Sequence, residues 1–114
     1  MNEILEQALL YDFYGELLTE HQKEIYEQYV LEDYSLSEIA TEQNISRQGV
    51  HDLVKRCNKI LEGYETKLHL VEKFLSIKNK VHQIDELLET YKQNDTKQLI
   101  CNIRKIASEI IEEL

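Results

Sequence analysis

The near absence of helix-breaking residues constrains this chain more than any other feature of its sequence. Its 114 residues include no proline and only three glycines, Gly15, Gly49 and Gly63. Proline breaks a helix because it lacks an N–H group, and glycine weakens one because its unfolded backbone has more freedom to lose. Apolar residues recur at three- and four-residue intervals along the chain, which is the spacing of one helix face. The sequence therefore predicts an all-α protein with long helices.

Capping residues divide this pattern into separate helices. Thr19-x-x-Gln22 and Ser35-x-x-Glu38 are capping boxes. In a capping box the hydroxyl of the first residue accepts a backbone N–H, and the side chain of the fourth residue accepts the backbone N–H of the first. Asp95 is expected to cap the last helix. The predicted helices cover residues 2–15, 20–31, 36–43, 46 to about 63, 66–92 and 96–114.

The segment from Ser35 to Lys59 has the spacing of a helix-turn-helix. Ala40 is the small residue that two helices need where they cross closely, and Asn44 tolerates the left-handed conformation of a tight turn. Ser46 then caps the second helix. A small shared core is expected from four apolar side chains, namely Ile39, Ile45, Val50 and Leu53.

The region after Gly63 is predicted to form a second part of the protein. We expect a helix-turn-helix domain at residues 1–63 and a long-helix hairpin at residues 64–114. The hairpin has more apolar side chains than two helices can bury, including Leu87, Leu88, Ile103, Ile106, Ile110 and Ile111. A homodimer would bury the remainder, so the hairpin is interpreted as a dimerisation element. The alternative is a monomer in which the hairpin packs against the first half.

Charge is distributed unevenly along the chain, whose formal net charge is −9. Residues 1–34 contain nine acidic residues and one basic residue, whereas residues 35–64 contain four of each. The basic residues of the helix-turn-helix thus stand out in an acidic protein. No apolar run approaches the roughly 20 residues that span a bilayer, and the first residues do not resemble a signal peptide. We therefore expect a cytoplasmic protein with no membrane insertion.

Four short motifs of the sequence are characteristic, namely Leu10-Tyr11-Asp12-Phe13-Tyr14-Gly15, Leu18-Thr19, Ser35-Leu36-Ser37-Glu38-Ile39-Ala40 and Asn44-Ile45-Ser46-Arg47-Gln48. Through these motifs the chain resembles the YlxM-like family of small bacterial helix-turn-helix proteins. Residues 19–64 are also similar to sigma-factor region 4. The resemblance implies a sigma region 4-like helical bundle, a regulatory role and a link to the signal recognition particle pathway of protein targeting. It supplies no catalytic residue.

A DNA-binding helix-turn-helix inserts the N-terminal end of its second helix into the major groove. The candidate DNA-binding residues are therefore Ser46, Arg47, Gln48, His51, Lys55, Arg56 and Lys59. Arg47 is suited to guanine or a phosphate, and Gln48 to adenine. The other basic residues are suited to backbone phosphates. Asp52 on the same helix would repel phosphates, and a few basic residues are also what any solvated helix face carries.

Three classes of function follow. The first is a DNA-binding regulator, and the second is an adaptor that binds protein or ribonucleoprotein components of the targeting pathway. An enzyme is the least favoured class, because no glycine-rich loop, metal-ligand spacing or nucleophile–base pair is visible. Cys57 and Cys101 are interpreted as small core residues rather than nucleophiles. We accordingly expect no catalytic residue, no metal ion and no cofactor.

Overall fold

The computed structural model describes residues 3–114 and confirms the all-α prediction. Its helices are α1 (Glu3–Tyr14), α2 (Glu20–Val30), α3 (Leu36–Gln43), α4 (Arg47–Leu68), α5 (Leu70–Glu89) and α6 (Thr96–Glu113). Short 3₁₀ turns lie at Gly15–Leu17 and Gln93–Asp95. Within the described residues there is no strand, and none of the helices combines the length and the apolar content that crossing a bilayer requires. The chain divides into two compact units, one ending at Val71 and the other formed by Glu72–Leu114.

The predicted caps of α2 and α3 are present. In each capping box, the hydroxyl of Thr19 or Ser35 accepts a backbone N–H, and the backbone N–H of the same residue donates to the side chain of Gln22 or Glu38. The predicted cap at Asp95 is wrong, since its side chain makes no capping bond. Asp95 belongs to the preceding 3₁₀ turn and has a ψ of 17°, whereas the three capping residues of the first unit have extended backbones that direct the hydroxyl at the helix.

Helix α4 is longer than the sequence pattern predicts. It continues through Gly63 to Leu68 and ends at His69, which has a left-handed backbone with φ 55°. Gly63 is exposed and costs the helix up to ~1 kcal/mol against alanine. Packing of the apolar face of α4, which includes the fully buried Cys57 and Leu61, offsets that cost.

Helix α4 forms the centre of the first unit, because α1, α2 and α3 all pack against it. The largest fully buried side chains are Tyr14, Tyr26, Ile25, Ile39, Leu61, Val50 and Cys57. The aromatic rings are stacked in pairs, with centroids 5.5 Å apart for Tyr11–Tyr26 and 6.0 Å for Tyr14–Tyr64. Tyr11 donates a hydrogen bond to Glu27, and Tyr26 donates one to Asn58 over 2.5 Å. Tyr11 and Tyr26 therefore bury their rings while their hydroxyl groups are satisfied.

A polar cluster joins α1 to the junction of α4 and α5. The hydroxyl of Tyr14 donates to Glu65 Oε1 at 2.5 Å and accepts the backbone N–H of Leu70 at 3.1 Å. Glu65 Oε1 also accepts the backbone N–H of Val71 at 3.0 Å. The first N–H groups of a helix have no partner within it, and these two side chains satisfy two of them at the start of α5. Burial and the bond to Glu65 raise the pKa of Tyr14, so its hydroxyl stays protonated.

We expect opposite effects from alanine at two of the glycines. A Cβ atom at Gly15 would lie 2.7 Å from the ring of Tyr11, whereas one at Gly63 would meet nothing within 4 Å. Gly15→Ala should lower the free energy of unfolding by about 1–3 kcal/mol, because the packed ring must move. Gly63→Ala should raise it by up to ~1 kcal/mol through helix propensity. Urea unfolding monitored by circular dichroism measures both, and equal effects would contradict this packing.

We also expect Tyr14→Phe to loosen the junction of α4 and α5. The substitution removes both hydrogen bonds of the hydroxyl, which should cost about 1–3 kcal/mol. It should also speed hydrogen exchange at the Leu70 amide. Tyr91→Phe is the matched control, since the hydroxyl bonds of Tyr91 are exposed and its loss should cost less than about 0.5 kcal/mol. Unchanged exchange at Leu70 would show that the tyrosine does not hold this amide.

Candidate nucleic-acid interface

The turn between α3 and α4 is built as the sequence predicts. Asn44 has a left-handed backbone, with φ 56° and ψ 44°, and Ile45 donates its N–H to Ala40 over 3.1 Å. Ser46 Oγ accepts the N–H of Gly49 at 2.9 Å and so begins α4. Beneath the turn, Ile39 of α3 and Val50 of α4 are fully buried. The apolar contact, the C-cap of α3 at Asn44 and the N-cap of α4 at Ser46 together define the direction in which α4 leaves the turn.

The two sides of α4 have opposite characters. Its buried side consists of Val50, Val54, Cys57 and Leu61, which recur every three or four residues. The opposite side is exposed along its length. All seven candidate residues are exposed, namely Ser46, Arg47, Gln48, His51, Lys55, Arg56 and Lys59. The structure thus leaves the cap and six side chains from the first four turns of α4 accessible to solvent.

This exposed surface of α4 is locally positive. Between Arg47 and Lys59 the helix carries four basic residues against one acidic residue, Asp52, which leaves a net charge of +3. The exposed acidic residues of the helices that pack on α4 include Glu20 and Glu24 on α2 and Glu38 and Glu42 on α3. A polyanion would therefore be attracted to α4 and repelled by parts of α2 and α3.

The two cysteines have different environments. Cys57 lies on the buried side of α4, and burial raises the pKa of its thiol to about 11, which keeps it protonated and unreactive. Cys101 on α6 is exposed, so its predicted place in the core is wrong. The reason is its position on the helix, since the apolar stripe of α6 centres on Leu99, Ile103 and Ile106 and leaves residue 101 on the other side.

Comparison with known proteins agrees with the resemblance seen in the sequence. Residues 1–104 match the model of the family described as "UPF0122: Putative helix-turn-helix protein, YlxM / p13 like". The chain belongs to this family. Its relatives include UPF0122 proteins of Thermoanaerobacter sp. (strain X514), 44% identical over 99% of this chain and 97% of the relative, and of Acetivibrio thermocellus, 45% identical over 100% and 95%. Another, from Lactiplantibacillus plantarum, is 46% identical over 87% and 85%.

In this UPF0122 protein, Asp52 contacts two of the candidate residues, which its charge alone does not predict. Gln48 Nε2 donates to Asp52 Oδ1 at 2.9 Å, and His51 Nδ1 lies 3.6 Å from the same oxygen. The carboxylate thus uses one N–H of the Gln48 amide and restrains its orientation. The signal was present in the sequence, because glutamine and aspartate four residues apart on a helix are placed to form this bond. Its charge, which repels phosphate, is therefore only one of the two effects of Asp52 on this surface.

Proposed function

We propose that this protein is a DNA-binding regulator that inserts the N-terminal half of α4 into the major groove. The observation that carries the proposal is the exposed surface of α4, where Arg47, Gln48, His51 and three further basic residues follow directly after a tight turn. This is the position at which helix-turn-helix proteins contact base edges.

Base contacts and phosphate contacts would come from different parts of α4. Arg47 and Gln48 lie in the first turn, where a bidentate contact to guanine or adenine is possible. The Ser46 hydroxyl takes the backbone N–H of Gly49, and the other N–H groups at the start of a helix suit a phosphate beside Ser46. Lys55, Arg56 and Lys59 lie further along and suit the phosphates that flank the groove.

Few phosphate contacts are available on the proposed DNA-binding part of α4. The four basic residues from Arg47 to Lys59 are fewer than the six to ten contacts that make DNA affinity very sensitive to salt. The acidic residues of the first 34 positions oppose any other approach of the polyanion. Binding should therefore depend strongly on the base contacts and be weak on random DNA.

We further propose that the regulator acts in the cytoplasm as a homodimer, with residues 1–63 contacting DNA and the hairpin at residues 64–114 joining two copies. Two copies of α4 would then contact half-sites about 34 Å apart, one turn of DNA. The family resemblance suggests that the regulated process is protein targeting by the signal recognition particle. No step of this proposal requires catalysis.

A second candidate function is an adaptor that binds a protein or ribonucleoprotein component of the same pathway. It is favoured by a surface groove on α2 lined by Glu20, His21, Lys23, Glu24 and Glu27. Three of these five residues are acidic, which suits a basic protein segment and opposes nucleic acid.

Replacing Arg47 and Gln48 together by alanine tests the DNA proposal. A pool of genomic fragments would first be used to select bound sequences, and affinities would be measured by fluorescence anisotropy at several salt concentrations. Each lost base contact should cost about 1–3 kcal/mol on the selected sequence. Lys55→Ala should instead weaken binding to all sequences and reduce the salt slope by about 1.

The control for these substitutions is Lys67→Ala, at the far end of α4, which should leave affinity unchanged. If the double substitution leaves affinity unchanged, α4 does not read DNA. If the wild-type protein selects no DNA and instead retains components of the targeting machinery, the adaptor function is supported.

Asp52→Asn should strengthen DNA binding. The substitution removes the only negative charge between Arg47 and Lys59, and the asparagine oxygen can still accept the bond from Gln48. Removing one repulsive contact with phosphate should contribute about 1 kcal/mol, or roughly a fivefold gain at low salt. Asp52→Ala should give a similar gain on random DNA but a smaller preference for the selected sequence, because Gln48 loses its restraint. Weaker binding by Asp52→Asn would mean that the carboxylate itself contacts the DNA.

A further inference from the structure

Helix α5 carries an apolar seam with exposed side chains at its centre and at its end. The seam consists of Phe74, Ile77, Val81, Ile84 and Leu88. Its alternating spacing of three and four residues is the pattern by which helices pair in coiled coils. Phe74, Val81 and Leu88 are exposed, Val81 by 52%, while Ile77 and Ile84 are half-buried. The ammonium group of Lys78 lies 5.9 Å from the centre of the Phe74 ring, beside the seam.

The hairpin itself uses a different and more polar side of α5. Ser76 donates to Glu113 of α6 over 2.8 Å, and Lys80 forms an ion pair with the same carboxylate. Further along, a groove is lined by Gln83, Glu86, Leu87, Thr90 and, from α6, Ile106. In the unit Glu72–Leu114, all of which the structure describes, Ile106 is the only buried residue. One buried residue is too small a hydrophobic core for a unit of this length, and small units with such cores usually depend on association with a partner.

A matching apolar stripe on α6 consists of Ile100, the half-buried Ala107 and Ile111, and it continues to Leu114 just after the helix. Ile111 is 71% exposed and Leu114 is 86% exposed. Each helix has one side that faces the other helix and a second side that carries the apolar stripe. On both helices the stripe lies roughly a quarter of a turn around the axis from the facing side, in the same direction when each helix is viewed from its N-terminus. Because the start of α5 contacts the end of α6, the helices are antiparallel. Equal offsets on antiparallel helices turn both stripes to the same side of the hairpin, where they form one apolar face.

The charges beside this face are complementary to a second copy of the same chain. After Glu72 in its first turn, α5 carries the exposed basic residues Lys73 and Lys78 before the acidic residues Asp85, Glu86 and Glu89. In α6 the order is the same, with Lys97, Arg104 and Lys105 before Glu109 and Glu112. A twofold axis across the helices places the basic half of each helix against the acidic half of its counterpart. A parallel arrangement would place like charges together.

We propose that two copies pair through this apolar face, with α5 antiparallel to α5 of the second copy around Val81 and His82. Lys78 and Asp85 lie at nearly equal distances along the helix from this point, on the same flank of the seam. The twofold axis therefore brings Lys78 of each copy beside Asp85 of the other. The inference rests on the proposed homodimer. It specifies the interface, the antiparallel orientation of the two α5 helices and the contact between Lys78 and Asp85.

Sedimentation equilibrium of the full chain tests the face. The wild-type protein should be dimeric, and Val81→Glu should raise the dimer dissociation constant on the order of a hundredfold or more, because pairing would bury an unpaired carboxylate. Asn79→Glu is the matched control, since it adds the same charge to the exposed side of α5 away from the seam and should leave the dimer intact. Circular dichroism establishes that both variants remain helical.

Exchanging the two charges tests the orientation. Lys78→Glu and Asp85→Lys should each weaken self-association, because each places like charges across the axis. An equimolar mixture of the two variants should form a heterodimer in which both pairs are restored, and so should the doubly substituted chain with itself. A mixture no more associated than its components would overturn the antiparallel arrangement.

Two further outcomes distinguish an error in the proposed interface from an error in the proposed homodimer. A wild-type protein that stays monomeric up to millimolar concentration would remove both proposals. A wild-type dimer that survives Val81→Glu would remove only this face. The base contacts proposed for Arg47 and Gln48 are tested separately, since substitutions at those two positions leave the hairpin unchanged.

Discussion

The buried side of α4 is the interaction on which the rest of the first unit depends. Val50, Val54, Cys57 and Leu61 form a stripe against which α1, α2 and α3 all pack. A helix that buries one side against three partners must present its other side to solvent. That exposed side carries Arg47, Gln48 and the lysines of the proposed DNA contact. The same packing that stabilises the unit therefore also presents its candidate site.

Polar bonds add direction to this apolar packing. The Tyr14–Glu65 pair links α1 to the end of α4 and satisfies two N–H groups at the start of α5. The caps at Ser35 and Ser46 perform the same function at the starts of α3 and α4. Apolar contacts are not directional, whereas each of these bonds requires a particular geometry. Together they define where one helix ends and the next begins in a chain that has no proline to do so.

The two units achieve stability in different ways. The first has a buried core of apolar and aromatic side chains from all of its helices. In the second unit, Glu113 of α6 joins the two helices by bonding to Ser76 and Lys80 of α5. Ile106 is the only residue buried in this unit, and several large apolar side chains are exposed. Side chains such as Ile111 and Leu114 are energetically costly in water. These side chains lie on one face, and the charges beside that face are complementary to those of a second copy. A second copy of the chain is therefore the favoured partner for this apolar face.

The sequence by itself determined the helical class, the capping boxes, the left-handed turn at Asn44 and the exposed side of α4. These features depend on contacts within a few residues, and periodicity and side-chain chemistry report such contacts directly. It could not show that α4 runs through Gly63 to His69, because tertiary packing outweighs the small helix penalty of one glycine. Nor could it show the bond between Tyr14 and Glu65, which are 51 positions apart. Only the tertiary structure decided which side of α5 faces α6, because that helix offers both a polar and an apolar stripe and the choice depends on the helix packed against it.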